Sequence, residues 1–314
     1  MRILDDFIVI DNIGLYCSYG KFYLDPKEPV KHAVISHAHG DHAVGGNLEV
    51  YCTEATSLFM LHRYKKFAGG AFHISNYHKV FEVNGVKISF IPAGHILGSA
   101  MVLMEYNGIR YLYTGDYKLQ PDRTCEPVEF VSAHVLITET TFADPDTQHP
   151  AAEQEILKLS STPNNIMLGA YALGKCQRLI SLISDHCPEK RILLHHSMMP
   201  FVKIYEQMGM NVGGYEVYDR KVMKSNLTGM IYMVPPMVFR SYFKAINVVR
   251  VFATGWKHLQ SGHEIQLYIS DHADWNDIVT TIEQVNPQQV WTNHGNGLQL
   301  QKHYEKSLVV KLLN

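Results

Sequence analysis

Three histidines and an aspartate lie within six residues, at His37, His39, Asp41 and His42, directly after the apolar run 33–35. Imidazole nitrogens and carboxylate oxygens are ligands that a borderline divalent cation such as Zn²⁺ prefers, at roughly 2.0–2.2 Å. His37 and His39 alternate and can face one ion, while Asp41 and His42 can face a second. A turn of solvated histidines accounts poorly for four such groups after a buried strand, so the pattern predicts a metal site.

The elements that would position this site read as short strands. Asn84-Gly85 and Asn107-Gly108 are each flanked by β-type runs and predict two hairpins. Further His, Asp and Glu residues follow or end predicted strands, at His95, Asp116, Glu139, Asp271-His272 and His294. Rigid strands commonly present functional residues at their ends, so we expect these side chains at one rim of a sheet sandwich.

Between about residues 142 and 249 the pattern changes to alternating helices and strands, which predicts α/β structure with a parallel sheet. The strand at 249–254 is expected to return to the first architecture. We therefore predict an α/β protein with a metal-binding domain formed by residues 1–144 and 250–314. Residues 145–249 would form a domain inserted into it.

With the pattern His-x-His-x-Asp-His at residues 37–42, the chain resembles the metallo-β-lactamase superfamily. The resemblance implies an αββα sandwich that binds two Zn²⁺ ions, with Mn²⁺ as the alternative metal. It assigns the first ion to His37, His39 and His95. It assigns the second ion to Asp41, His42 and His294, with Asp116 as the carboxylate that bridges the two ions. Such a pair of ions stabilises charge in phosphoryl transfer.

Hydrolysis of a phosphodiester also needs a proton for the leaving alkoxide. His272 is the candidate general acid, with Glu139 accepting a hydrogen bond from its other ring nitrogen. Together with Asp41, these two residues are the catalytic candidates. Asp25 reads either as a turn residue before Pro26 or, by resemblance, as the carboxylate that orients the histidine turn.

The segments 138–142, 270–274 and 293–295 resemble the motifs of the β-CASP nuclease branch, which carries an α/β insertion at this place. Tyr-Ala-Leu-Gly-Lys at 171–175 and Asp-His-Ala-Asp-Trp at 271–275 resemble the bacterial DNA ligase-associated exonucleases. That resemblance implies a DNA exonuclease in repair, with a DNA ligase and a helicase as partners. DNA is favoured over RNA as the substrate.

Three alternatives stay open. His294 occupies a position that is histidine in RNA-processing β-CASP enzymes, which favours an exo- or endoribonuclease. A thioester or lactone hydrolase would share the His-x-His-x-Asp-His site without needing the insertion or the pair Glu139 and His272. A degenerate scaffold subunit would have lost ligands, whereas every ligand position is filled here.

Two basic features have a functional and a structural interpretation. Gly169–Lys175 followed by Cys176 fits a phosphate-loop pattern except that Cys replaces Ser or Thr. Lys175 at a helix N-terminus could bind a substrate phosphate, or Gly174 could simply allow a tight turn. Arg63, with the lysines at 65 and 66, could follow a nucleic-acid backbone or form a solvated face.

The composition further limits which classes of protein this sequence can belong to. The 314 residues are 46% hydrophobic, enough for a sizeable core, and 28 Lys and Arg against 30 Asp and Glu give a net charge of −2, which argues against non-specific coating of nucleic acid. Five widely spaced cysteines predict reduced thiols rather than a disulfide framework. No run of about 18 apolar residues occurs, as a membrane helix would need. Asp5 and Asp6 lie where a signal peptide would need its apolar stretch, so a cytoplasmic location without membrane contact is expected.

Overall fold

The structure, a computed structural model, describes residues 2–219, 221–222, 228–241, 248–260 and 262–313. The chain divides into two compact units. The segments of the first unit are Met1–Pro121, Cys125–Gln148 and His272–Asn314. The segments of the second unit are Asp122–Thr124 and His149–Asp271.

The strands are numbered in chain order. The first sheet has the order β1-β2-β3-β4-β5-β6. Its strands are β1 (Ile8–Ile10), β2 (Leu15–Cys17), β3 (Phe22–Leu24), β4 (His32–Val34), β5 (Asn47–Cys52) and β6 (Gly69–Ile74). From β3 onward neighbouring strands are parallel, so the end of β4 lies inside the sheet.

The second sheet also belongs to the first unit and combines two parts of the chain. Its strands, listed from one edge to the other, are β7 (Phe81–Val83), β8 (Val86–Pro92), β9 (Ala100–Tyr106), β10 (Ile109–Tyr113), β11 (Val135–Thr140), β18 (Gln289–Gly295) and β19 (Val309–Leu312). The strands β7 to β10 are antiparallel, and β10, β11, β18 and β19 run parallel. The ends of β10, β11 and β18 therefore meet at one edge.

Both predicted hairpins are confirmed. Asn84 and Gly85 join β7 to β8, and Asn107 and Gly108 join β9 to β10. All four residues have positive φ angles, between 48° and 86°. Turns of this kind match the right-handed twist of the strands, and Asn-Gly adopts them at little steric cost.

Alternating side chains of the strands fill separate cores in the first unit. Phe90 of β8 packs with Phe22 between the two sheets, while the next residue, Ile91, points to the outer face of the second sheet. There it belongs to one cluster with Ile278 of helix α6 (Trp275–Val285). Helix α1 (Glu54–Tyr64) places Met60 on the outer face of the first sheet. The first unit is thus layered as helix, sheet, sheet and helix.

Helix α6 is fixed at both ends by its own sequence. The Asp274 side chain accepts a hydrogen bond from the Asp277 backbone N–H, and Asn286 ends the helix in the left-handed conformation. Because Asp274 caps the helix, the backbone just before it has a defined path. That backbone carries His272.

The second unit contains a parallel sheet, which confirms the predicted α/β pattern of this segment. Its order is β14-β13-β15-β12-β16-β17. The strands are β12 (Asn165–Gly169), β13 (Arg191–Leu194), β14 (Glu216–Val217), β15 (Met230–Val234), β16 (Val248–Ala253) and β17 (Ile265–Leu267). Helices in its described residues are α2 (Ala152–Leu157), α3 (Lys175–His186), α4 (Met199–Gln207) and α5 (Pro236–Ser241).

The predicted return to the first architecture at residues 249–254 is wrong. Strand β16 pairs with β12, and β17 pairs with β16, so both strands belong to the sheet of the second unit. The chain re-enters the first unit at His272 rather than at residue 250. Residues 220, 223–227 and 242–247 of the predicted insertion lie outside the described residues.

All five cysteines are buried, and none forms a disulfide. Burial raises the pKa of Cys17 to about 11, so this thiol is expected to stay protonated at neutral pH. Among the helices that the structure describes, none is long and apolar enough to cross a bilayer.

Candidate metal centre

The histidine turn that follows β4 is anchored on Asp25. This residue is buried, and its two carboxylate oxygens accept hydrogen bonds from the Ser36 backbone N–H at 2.7 Å and from the Ser36 hydroxyl at 2.5 Å. The Tyr113 hydroxyl donates to it at 3.0 Å. The interpretation of Asp25 as the carboxylate that holds the histidine turn is confirmed by these contacts.

Asp25 also orients two of the candidate ligands. The Nδ1 atom of His42 lies 2.9 Å from Asp25, and the Nδ1 atom of His37 lies 3.0 Å from the Ser36 hydroxyl oxygen. Because the Ser36 hydroxyl donates to Asp25, its oxygen is left to accept a hydrogen bond from His37 Nδ1–H. His37 would then present an unprotonated Nε2, the usual arrangement of a metal-binding histidine.

Three ring nitrogens from two loops converge on one point. His39 Nδ1 lies 3.1 Å from His37 Nε2 and 3.0 Å from His95 Nε2, and Asp116 is close enough to complete a ligand group with all three. In a tetrahedron with metal–nitrogen bonds of roughly 2.0–2.1 Å, ligand nitrogens lie about 3.3 Å apart. The observed spacing therefore fits a single ion of the size of Zn²⁺.

The chemistry of this cluster favours a bound cation. Burial lowers the pKa of His37 well below its ordinary value, and the neighbouring imidazoles lower it further. A neutral imidazole with one proton held by Ser36 directs a lone pair toward the other ring nitrogens. Lone pairs that face one another in a buried site repel unless a cation or a proton lies between them, so the residues present fit a metal ion.

The remaining predicted ligands form a looser group around His42. The Nε2 atom of His42 lies 3.4 Å from Asp116 Oδ2 and 3.9 Å from Asp41 Oδ2. The rings of His42 and His294 are 5.0 Å apart between centroids. Asp41 has 78% of its side chain exposed. Among the described residues, the groups close enough to hold an ion contain neither Asp41 nor His294.

Negative charge dominates the surroundings of His42. Burial on its own lowers the pKa of this imidazole, but the carboxylates of Asp116 and Asp25 outweigh that effect and raise it to about 10. A site that holds a proton this firmly also attracts a divalent cation. Metal binding at His42 would then displace the proton.

His294 reaches this group through an irregularity in the sheet. Glu139 lies opposite Asn293 in the parallel ladder, but the next partners are Thr140 and Gly295, so His294 is left over as a bulge. His294 and Gly295 have φ angles of 49° and 132°. A Cβ atom on Gly295 would come within 2.3 Å of the Thr140 carbonyl oxygen, so the bulge requires glycine there.

Glu139 and His272 form a pair beside Asp116. His272 Nδ1 lies 3.0 Å from Glu139 Oε2 and 3.8 Å from Asp116 Oδ2. Glu139 is buried and also accepts hydrogen bonds from the Tyr117 backbone N–H and the Thr141 hydroxyl. Burial raises the pKa of Glu139, but His272 and these donors outweigh it and hold the pKa below its usual range. The ionised carboxylate therefore fixes the proton on Nδ1 of His272.

Two further residues that sequence reasoning missed or misjudged support the ligand loops. The buried Lys118 donates to the carbonyl oxygens of Gly94 and His95, at 2.5 Å and 2.6 Å. Arg63 donates to the Ala38 carbonyl oxygen at 2.6 Å, between His37 and His39 in the chain. Arg63 therefore braces the histidine turn. The only signal for Lys118 is its position two residues after Asp116.

Asp116 itself depends on a close backbone approach. Gly115 has a φ of +54°, and a Cβ atom there would lie 2.6 Å from the Ser36 hydroxyl oxygen. Glycine thus lets the end of β10 pass directly beside Ser36, the residue that links Asp25 to the histidine turn.

The contacts of Lys175 do not support the phosphate-loop interpretation. Lys175 is buried, donates to the Ile269 carbonyl oxygen at 2.7 Å and lies 3.1 Å from Asp271 Oδ2. Gly174 has a φ of +82° at the start of helix α3, which favours the tight-turn interpretation of this glycine.

Comparisons with known proteins support a nuclease relationship. The chain is 31% identical over 300 residues to a protein named Probable DNA ligase from Opitutus terrae, covering 90% of this chain and 28% of that protein. It is 34% identical over 119 residues to Endoribonuclease YSH1 of Saccharomyces cerevisiae, and 32% identical over 133 residues to that of Kluyveromyces lactis. These matches cover 35% and 40% of this chain, and 15% and 17% of the endoribonucleases.

The chain thus spans less than a third of the length of these relatives. No protein-family model matches it. A crystal structure of a protein of unknown function from Enterococcus faecalis shares the fold, with a TM-score of 0.59 and 14% identity over 90% of this chain and 79% of that one. The chain is homologous to the ligase-named protein and, in part, to the endoribonucleases, which confirms the relationship to β-CASP nucleases predicted from the motifs.

Proposed function

We propose that this chain is a two-metal phosphodiester hydrolase built on a metallo-β-lactamase sandwich with an inserted β-CASP domain. The helix–sheet–sheet–helix layering of the first unit and the parallel sheet of the second support that fold. One ion would be held by His37, His39 and His95, and the other by Asp41, His42 and His294. Zn²⁺ suits these nitrogen and oxygen ligands, and Mn²⁺ is the alternative.

The observation that carries the proposal is the position of one carboxylate oxygen. Asp116 Oδ2 lies 3.5 Å from His37 Nε2, 3.8 Å from His95 Nε2 and 3.4 Å from His42 Nε2. It therefore faces both ligand groups, as a shared ligand must. Two bound ions would activate water and stabilise charge on the phosphoryl oxygens.

His272 would supply the proton that the leaving alkoxide needs. Glu139 holds Nδ1–H and stabilises the imidazolium, so the proton on Nε2 is the one available for transfer. Glu139 would act by fixing this orientation. Asp41 would act in catalysis through the ion that it shares with His42.

The proposed substrate is single-stranded DNA, degraded from an end during repair. The relative named as a DNA ligase supports this setting and a ligase as partner, with a helicase proposed by the same resemblance. The endoribonuclease relatives and the presence of His294 favour RNA as the alternative.

The test is digestion of matched end-labelled single-stranded DNA and RNA by metal-loaded protein, with Asp116→Ala as the control. Progressive shortening of DNA, absent in the control and slow on RNA, is expected. Preferential cutting of RNA would transfer the assignment to RNA processing. Failure to cut either polymer by fully metallated protein would contradict the nuclease proposal and direct the search to thioesters and lactones.

A further inference from the structure

A tight turn in the first unit follows strand β11 and carries two side chains toward the candidate general acid and its carboxylate partner. The Ala143 backbone N–H donates to the Thr140 carbonyl oxygen at 3.3 Å, so Thr141 and Phe142 are the central residues of the turn. Thr140 is the last residue of β11. Because the turn begins there, the strand sets the positions of both side chains.

The carboxylate of Glu139 accepts hydrogen bonds at both of its oxygens. The Thr141 hydroxyl donates to Oε2 at 2.7 Å, and the Tyr117 backbone N–H donates to Oε1 at 3.0 Å. Two donors on different oxygens define the plane of a carboxylate. His272 Nδ1 lies 3.0 Å from Oε2 and 3.3 Å from Oε1, so the oxygen that Thr141 binds is also the one closer to the imidazole.

The surroundings of His272 restrict its imidazole further. The backbone N–H of the next residue, Ala273, donates to the Tyr117 carbonyl oxygen at 2.7 Å. One residue, Tyr117, thus binds the carboxylate through its N–H and the main chain beside the imidazole through its carbonyl group. The buried ring of Phe142 lies edge-on to the imidazole, with 6.2 Å between the ring centroids. The imidazole is therefore held from its backbone and from its ring.

The hydroxyl of Thr141 has a second acceptor within reach. A threonine in a turn commonly bonds a nearby backbone group, and the His294 carbonyl oxygen lies 3.5 Å from this hydroxyl. The distance of 2.7 Å to Glu139 is much shorter, and a hydrogen bond to an ionised acceptor is the stronger of the two. The single hydroxyl proton therefore belongs to the bond with Glu139.

We propose that Thr141 is a positioning residue for the general acid His272, because its hydroxyl holds Glu139 in the orientation that accepts Nδ1–H. The inference rests on the proposed function and deepens it. The proton on Nε2 would pass to the leaving oxygen as the bond between phosphorus and that oxygen breaks. Thr141 would thus act on departure of the alkoxide, through the imidazole, without touching the reacting atoms.

The first experiment compares two substrates of the full-length, metal-loaded protein. End-labelled single-stranded DNA releases an alkoxide, whereas the p-nitrophenyl ester of thymidine monophosphate releases a phenolate that needs no proton. We expect Thr141→Val to slow single-turnover cleavage of DNA by about 10–100-fold and that of the ester by less than about twofold. Equal slowing of both reactions, or no slowing on DNA, would overturn the inference.

Two further variants serve as controls for this comparison. Thr141→Ser keeps the hydroxyl and should cleave DNA at the wild-type rate. Thr147→Val makes the same substitution at another half-buried threonine of the first unit, and it should cleave both substrates like the wild type. Slow cleavage of DNA by Thr141→Ser would show that the hydroxyl is not what matters at this position.

A double-mutant cycle distinguishes positioning from a general structural role. His272→Ala alone should slow cleavage of DNA by roughly 100-fold or more. Thr141→Val should then cause no further loss in the His272→Ala background, because the hydroxyl acts only through that imidazole. Additional slowing by about tenfold in this background would contradict the positioning role.

The last measurement does not depend on cleavage. In proton–nitrogen NMR spectra of the zinc-loaded protein, the Nδ1–H resonance of His272 is assigned by its loss in His272→Ala. It should remain in place in Thr141→Ser and shift or broaden in Thr141→Val. A resonance that is unchanged in Thr141→Val would overturn the inference.

The two proposals can therefore fail separately. If the resonance changes in Thr141→Val but the wild type cuts no polymer, Thr141 still positions His272 and the nuclease proposal is contradicted. If the wild type cuts DNA and Thr141→Val cuts it equally fast, the nuclease proposal stands and the role of Thr141 is contradicted.

Discussion

In one half of the candidate metal centre, His37 Nε2 and His95 Nε2 lie 3.1 Å and 3.0 Å from His39 Nδ1. In the other half, Asp41 is largely exposed and His294 approaches His42 only at a ring distance of 5.0 Å. The first group is hereafter the three-histidine half, and Asp41, His42 and His294 are the open half. Asp116 lies between them.

The difference follows from what supports each group. The three-histidine half is braced by Lys118 and Arg63, which bond the backbone of its two loops. In the open half, His42 is fixed by Asp25, whereas His294 depends on a bulge at the end of β18. The three-histidine half would therefore be preorganised for an ion, whereas the open half would have to draw closer together to hold one.

The largest effect short of removing a ligand is expected for Lys118→Met. The Gly94 and His95 carbonyl oxygens would lose a charged donor inside the protein, which costs about 2–4 kcal/mol of unfolding free energy. Zinc affinity of the three-histidine half should fall by about 10–100-fold. Chemical denaturation and zinc titration measure the two effects, with the exposed Lys87→Met as control. Unchanged zinc affinity would remove the proposed bracing role.

A smaller effect is expected for Arg63→Met, which removes the donor to the Ala38 carbonyl oxygen. Zinc should bind about tenfold more weakly to the three-histidine half, while the lysines at 65 and 66, which are exposed, can be replaced by methionine without such loss. Titration with zinc distinguishes the variants. If Arg63→Met weakened binding of DNA but not of zinc, the nucleic-acid interpretation of this cluster would be restored.

Asp277 lies near the site but belongs to neither half, so Asp277→Asn should change stability without changing zinc affinity. Burial and the charge of Asp274 raise the pKa of Asp277 to about 6, above its ordinary 3.8. A carboxyl with a raised pKa destabilises the folded state once it ionises, so the stability difference should be absent below about pH 4 and complete above about pH 6.

We expect the asparagine variant to be more stable by about 1 kcal/mol at pH 7, allowing for partial exposure of the side chain. Thermal unfolding at pH 4 and pH 7 measures this difference, and zinc affinity should not change. A variant that is less stable at pH 7 would show that the ionised carboxylate has a favourable partner.

The positions of the candidate ligands at strand ends were predictable because β-type runs, Asn-Gly turns and the histidine motif are local patterns. The supporting residues were not. A lysine such as Lys118 normally predicts an exposed position, and its burial depends on carbonyl oxygens in another loop. Lys175 likewise gave no sign that it would turn inward toward Asp271.

The assignment of strand β16 failed for a related reason. A strand of a parallel sheet is an apolar run that carries no mark of the sheet it joins. Its pairing with β12 is a long-range choice, which neither periodicity nor turn chemistry records. The bulge at His294 is similar, because it arises from the register between β11 and β18.

The most direct test of the account is a calorimetric zinc titration of metal-free wild type, His37→Ala and His294→Ala. Two ions per chain with unequal affinities are predicted for the wild type. His37→Ala should weaken the tighter ion by about 100-fold or more, since each ligand of a zinc site contributes roughly 3 kcal/mol, and His294→Ala should weaken only the other ion. A single ion per wild-type chain, or equal loss of the tighter ion in both variants, would contradict a two-metal centre with unequal halves.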